Sequence, residues 1–140
     1  MTVAAAEMLV VEDNPDDVTL LKRAMRKASV GVAYEIAGDG DEAIAWLERV
    51  AGTGSPPRVV LLDLKLPRRS GFDVLAWMKS HPKLHRVPVV IFTSSNVGED
   101  LDRAYGLGAN SYLVKPAAPS DLVAMVAQID SYWLGINRTR

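Results

Sequence analysis

The sequence predicts an α/β domain built on a doubly wound, five-stranded parallel sheet, and three observations lead there. Short runs of Val, Leu and Ile recur at residues 8–11, 59–62, 89–92 and 112–114, with a weaker run at 34–37. Segments with helical spacing of apolar residues lie between these runs, and turn-forming stretches at 39–40, 52–57, 67–71 and 82–88 separate the two. Strands buried on both faces read as unbroken apolar runs. Alternation of strand and helix implies right-handed crossovers that place helices over both faces of one sheet.

Taken in order, Met8–Val11 is too continuous for a half-exposed strand, and Val18, Leu21 and Met25 mark the buried face of the helix after it. Tyr34–Ala37 is the weaker second strand, followed by a helix carrying Ala43 and Leu47. Val59–Leu62 is the third strand, and Val74, Leu75 and Met78 belong to the third helix. Strands at 89–92 and 112–114 complete the sheet. The last helix, about 120–134, has a core stripe of Leu122, Val126, Ile129 and Trp133. Val123, Met125 and Tyr132 lie off that stripe, and one helix cannot bury both sets against a single sheet, which marks a candidate contact surface.

A chain of 140 residues, 49% apolar, is the size of one domain with one core. The expected organisation is a flexible segment at 1–7, a folded domain at 8–134 and a tail at 135–140, with no room for an output domain. No apolar run approaches the roughly 20 residues of a membrane span, and the start lacks the pattern of a secretory signal, so a cytoplasmic location is expected. There are no cysteines and only two histidines, His81 and His85, which leaves any metal to carboxylates and therefore to hard cations. With a net charge of −1 and no long run of like charge, the chain lacks the basic footprint of a nucleic-acid binder.

In an open parallel sheet, ligands bind outside the carboxyl ends of the strands. Here those ends carry Glu12 and Asp13, then Asp63, then Thr93, Ser94 and Ser95, then Lys115 and Pro116. Singly, each has a structural explanation: Asp13 or Asn14 could cap the next helix, Ser95 or Asn96 the one after, and Lys115 could be an exposed lysine. Asp63 is harder to dismiss, because it closes a fully apolar strand with no capping context behind it. Three clustered carboxylates repel one another unless a cation sits among them. Magnesium, or manganese, suits such an oxygen set, and a carboxylate beside it can act as a nucleophile toward phosphorus. The acidic loop at 12–17 would repel a bare phosphate, Walker and dinucleotide glycine motifs are absent, and Lys65 stands where small aspartyl-phosphate hydrolases usually carry a second acid.

Four motifs together resemble the receiver domain of two-component response regulators, the CheY-like group with flavodoxin-like sheet order 2-1-3-4-5. They are Leu-Val-Val-Glu-Asp at 9–13, Leu-Leu-Asp-Leu-Lys-Leu-Pro at 61–67 with Gly71, Pro-Val-Val-Ile-Phe-Thr-Ser at 88–94, and Tyr-Leu-Val-Lys-Pro at 112–116. The resemblance implies that Asp63 is the phosphoacceptor. It implies metal binding by Glu12, Asp13, Asp63 and the backbone carbonyl of Lys65, and phosphate binding by Thr93, Ser94 and Lys115. Thr93 and Tyr112 would be the switch residues, with a cis bond before Pro116. The implied partner is a sensor histidine kinase, with the output passing to another protein, to a further phosphorelay step, or into buffering of phosphate. The opening Glu-Asp-Asn-Pro-Asp-Asp, the long loop to Pro57 and the final Ser-Tyr-Trp-Leu look like single-domain regulators paired with phytochrome-type kinases. That narrower resemblance implies a homodimer through the carboxyl-terminal helices. Such a domain assists its own phosphorylation without being an enzyme. A receiver-like module that no longer takes phosphate and a metal-dependent phosphohydrolase are the competing classes.

Overall fold

The computed structural model describes residues 6–138. The order is β1 (Met8–Val11), α1 (Pro15–Lys27), β2 (Tyr34–Ala37), α2 (Gly40–Thr53), β3 (Val59–Leu62), α3 (Gly71–Ser80), β4 (Val89–Thr93), α4 (Gly98–Gly106), β5 (Ser111–Val114) and α5 (Pro119–Ser131), then a π-helical turn, Tyr132–Ile136. The strands form one parallel sheet, as the sequence pattern predicts, in the order β2-β1-β3-β4-β5 that the resemblance implies.

The period-two alternation of each strand builds two cores. Leu9, Val11, Val60, Leu62, Val89 and Ile91 face α2, α3 and α4, whose Leu47, Leu75, Met78 and Ala104 pack against them. Met8, Val10, Val59, Leu61, Val90 and Phe92 face α1 and α5, through Leu21, Met25, Leu122, Val126 and Ile129. Truncating a fully buried member such as Leu47 or Leu61 to Ala costs about 2–5 kcal/mol.

The predicted stripe of the last helix needs revision at its end. The α-helix stops at Ser131, the Asn137 amide donates to the Tyr132 carbonyl at 2.6 Å, and the widened turn buries Leu134 while Trp133 is only partly covered. Of the off-stripe residues, Val123 and Met125 pack partly on the α1/α5 core, whereas Tyr132 is 45% exposed. Of the segment expected to be flexible, residues 1–5 lie outside the described residues; the Glu7 amide donates to Ala33 and its carbonyl accepts from Arg58, so pairing begins one residue before β1.

A cis bond before Pro116, implied by the resemblance, is not found. The Lys115–Pro116 bond is trans, like every other peptide bond among the described residues. Trans is the intrinsically favoured isomer of such a bond by about 0.5–1 kcal/mol. Among the described residues no helix is long and apolar enough to cross a membrane.

Candidate functional site

Strand register brings the acids together. Val11 is level with Leu62 on neighbouring strands, so the next residues, Glu12 and Asp63, emerge side by side from the sheet. The Glu12 amide donates to Ala37 and the Asp63 amide to Val11, which extends the ladder by one residue and fixes both backbones. Thr93 is level with Val114, so Lys115 leaves β5 at the same edge.

Glu12 and Asp63 are buried, Asp13 is exposed, and one carboxylate oxygen from each lies within 4.8 Å of the others. Three anions at that spacing require compensation, and Lys115 supplies part of it. Its Nζ donates to Asp63 Oδ2 at 2.8 Å, to Asp17 Oδ2 at 2.9 Å and, in the shortest contact, to Glu12 Oε1. All three ammonium protons are thereby used. Burial disfavours the charge on Lys115, but the hydrogen bonds to Asp63, Glu12 and Asp17 outweigh it and push the pKa up. For Glu12, burial is the largest influence and raises its pKa against the lowering effect of Lys115 and the Asn14 amide. Lys115, held by three carboxylates, stays charged, and its ammonium offsets part of the burial of Glu12.

The other oxygen of Asp63, Oδ1, accepts from the Lys65 amide at 3.2 Å, while the Lys65 side chain is exposed. This β3–α3 loop is shaped by Arg68 in the left-handed region, with φ of 69°, and by Gly71, where a Cβ would fall 2.1 Å from the Asp63 carbonyl oxygen. Only glycine permits α3 to start so close beneath the acid.

Thr93 is fully buried, and its hydroxyl accepts from the Ser95 amide at 3.4 Å; Ser94 is exposed at the rim. Ser95 makes two further contacts. Its hydroxyl donates to Asp100 at 2.6 Å, and its carbonyl accepts from the Tyr112 hydroxyl at 3.1 Å. A chain of hydrogen bonds therefore runs from Thr93 through Ser95 to α4 and β5. The capping alternatives also resolve: Asn14 caps α1, accepting from the Asp16 and Asp17 amides, and no side chain caps α4.

The sequence-predicted residues Glu12, Asp13, Asp63, Lys65, Thr93, Ser94 and Lys115 thus share one edge, with Tyr112 linked to it through Ser95. Asp17 was missed, being one turn into α1 and reading as an ordinary helix-surface acid. Asp13, Asp63 and Glu12 form an all-oxygen donor set suited to a small hard cation. A cleft of about 630 Å³ lies elsewhere, lined by residues including Arg58, Lys83, Arg86 and Trp133, and contains none of these acids. The acids gather at a strand edge rather than in a deep hollow, so volume does not locate this cluster.

A family model described as the response regulator receiver domain matches residues 8–127. The "Probable methanogenesis regulatory protein FilR2" of Methanothrix harundinacea is 42% identical over 133 residues, covering 94% of this chain and 86% of the relative. Response regulator Rcp1 of Synechocystis is 37% identical over 129 residues, 91% of this chain and 88% of its own. The structure of its Mn(2+)-bound form superposes with a TM-score of 0.83, covering 97% and 99% of the two chains at 36% identity. The phosphorylated cyanobacterial phytochrome response regulator RcpA gives a TM-score of 0.87, also at 36% identity and with the same coverage. With its acid cluster, its lysine and its sheet order all of this type, the chain belongs to the response regulator receiver domain family.

Proposed function

We propose that Asp63 accepts a phosphoryl group from a phosphohistidine on a sensor histidine kinase, and that the modified domain signals through β5 and the last two helices. The observation that carries this reading is the setting of Asp63: a buried carboxylate at a strand end, with one oxygen held by the Lys115 ammonium and the other by the Lys65 amide, beside Glu12 and Asp13. In the transfer, an Asp63 oxygen attacks phosphorus, the phosphorus–nitrogen bond breaks, and the departing imidazole nitrogen takes a proton. Water later attacks the same phosphorus, releasing inorganic phosphate and restoring the carboxylate. Magnesium or manganese, held by Glu12, Asp13, Asp63 and the Lys65 carbonyl, would neutralise the equatorial phosphoryl oxygens. Lys115 meets a second oxygen, and the Thr93 hydroxyl and the exposed rim at Ser94 receive the third. The chain is thus a phosphoacceptor that assists its own modification.

When the Thr93 hydroxyl turns toward the phosphoryl group it gives up the Ser95 amide, and Ser95 is the residue on which Tyr112 and Asp100 both hang. That exchange biases a two-state element whose populations shift by no more than the phosphoryl group's differential affinity for the two arrangements. Likeness to RcpA and Rcp1 favours a phytochrome-type kinase as partner, in the cytoplasm. A homodimer through the carboxyl-terminal helices belongs to the same reading, supported by Tyr132 and Ile136, which are exposed on the final turn. Sedimentation showing only monomer at high concentration would remove the dimer.

Incubation with acetyl phosphate and Mg2+ should add the mass of one phosphoryl group to the intact protein. Asp63→Asn should add none. Equal labelling of that variant would overturn the assignment.

A further inference from the structure

The proposed phosphoryl transfer leaves one contact unexplained. Lys115 spends a proton on Asp17, a residue outside the set of acids that could hold a metal. Asp17 lies in the first turn of α1, its backbone amide fixed by the Asn14 cap, and its carboxylate is 38% exposed. The two other partners of Lys115 change role during the reaction. Glu12 and Asp63 belong to the metal-competent cluster, and Asp63 also becomes the phosphorylated group. An ammonium shared among three carboxylates, two of which are drawn away, keeps its position only through the third.

We propose that Asp17 is a positioning residue: it anchors the Lys115 ammonium from the α1 side, so that when Asp63 is modified the proton formerly given to Asp63 Oδ2 is already aimed at a phosphoryl oxygen. This rests on the assignment of Asp63 as acceptor. Geometry supports an anchor over a competitor. Asp17 occupies one ammonium proton and leaves the other two pointing at Glu12 and Asp63, where the phosphoryl group forms. An anchor of this kind also joins the site to α1, which packs along α5. Loss of the anchor frees Lys115 to lean on Glu12 and Asp63 in the resting state, where it would oppose both the metal and the nucleophile.

The test compares full-length wild type with Asp17→Asn and Asp17→Glu. Asp17→Asn should lower beryllofluoride affinity and the rate of phosphorylation by acetyl phosphate by about fivefold each, the scale of a partly exposed charge-assisted hydrogen bond. The thermal midpoint should move little. Asp17→Glu should recover most of the loss. In nitrogen-15 spectra of the beryllofluoride complex, the Lys115 ammonium protons should be protected from exchange in the wild type and lose that protection in Asp17→Asn. Rate and affinity within twofold of wild type in Asp17→Asn would overturn the inference, as would an equal loss in Asp17→Glu. If Asp63→Asn still takes up phosphate, the acceptor assignment itself fails; if only Asp17→Asn behaves as wild type, the acceptor stands and the anchor falls.

Discussion

Helices α1, α2 and α3 each begin on a side chain that accepts backbone amides, namely Asn14, Asp39 and Ser70, whereas α4 and α5 begin at Val97 and Ala118, which offer none. Among the strands, the central β1, β3 and β4 are buried throughout, while the edge strands β2 and β5 are partly exposed, β5 ending in Val114, 37% exposed. In α4 only Ala104 is buried. Glu12, Asp13 and Asp63 therefore follow strands buried on both faces, β1 and β3, and the helices after β1, β2 and β3 are locked by side-chain caps. The half that carries Ser95, Tyr112 and Lys115 is held by a few side-chain hydrogen bonds. Regions with few buried contacts and uncapped ends open at low free energy, which is what a switch requires; an acceptor site requires the opposite.

The largest effect should come from crowding the locked half. Gly71→Ala puts a methyl 2.1 Å from the Asp63 carbonyl oxygen and 2.7 Å from Leu64 Cα, both backbone atoms that cannot yield cheaply. Chemical denaturation should show a loss of more than about 3 kcal/mol, with impaired phosphorylation because the strain falls on the acceptor. Next is Ser70→Ala, which removes a capping box in which Ser70 and Asp73 satisfy each other's amides. A loss of about 1 kcal/mol is expected with phosphorylation nearly intact.

Supplying the mobile half with the cap it lacks should do the reverse. Val97 is 56% exposed with extended backbone, so Val97→Ser can cap α4 with little loss of packing. A stability gain of about 0.5–1 kcal/mol is expected, and a smaller difference between apo and beryllofluoride-bound spectra in α4. An unchanged spectral response would break the link between weak capping and switching.

The smallest effect concerns pH. Burial raises the pKa of Glu12, so its contribution to stability is complete below the ordinary carboxylate value and is lost as pH rises through the raised one. Glu12→Gln does not titrate. Its stability relative to wild type, without metal, should therefore increase from about pH 4 to pH 7 in parallel thermal melts. Lys115, whose pKa is raised, contributes stability below its ordinary value and loses it only at strongly alkaline pH, outside that window.

What could be seen in the sequence divides along physical lines. Strand positions were legible because runs such as Val59–Leu62 are apolar without interruption, and the convergence of Glu12, Asp63, Thr93 and Lys115 followed from where such runs end. Contacts made by rotamer and reach were not. Asp17 is spaced like any solvent-facing acid of α1, and nothing in its neighbours says that a lysine 98 residues away will find it. The pairing of Ser95 with both Tyr112 and Asp100 likewise depends on the turn after β4. The π-helical turn was hidden because Tyr-Trp-Leu continues an apolar pattern with ordinary helical residues. The trans bond before Pro116 corrects an expectation taken from resemblance.

The central claim is that Asp63 receives the phosphoryl group on the locked half and that the mobile half responds. Amide spectra recorded before and after beryllofluoride and Mg2+ test both parts at once. Large shifts should appear in the segment from Thr93 to α4 and in β5, with α2 and the body of α3 nearly unmoved, and Asp63→Asn should show none of them. The same shifts in Asp63→Asn, or shifts spread evenly over α2 and α3, would contradict the account.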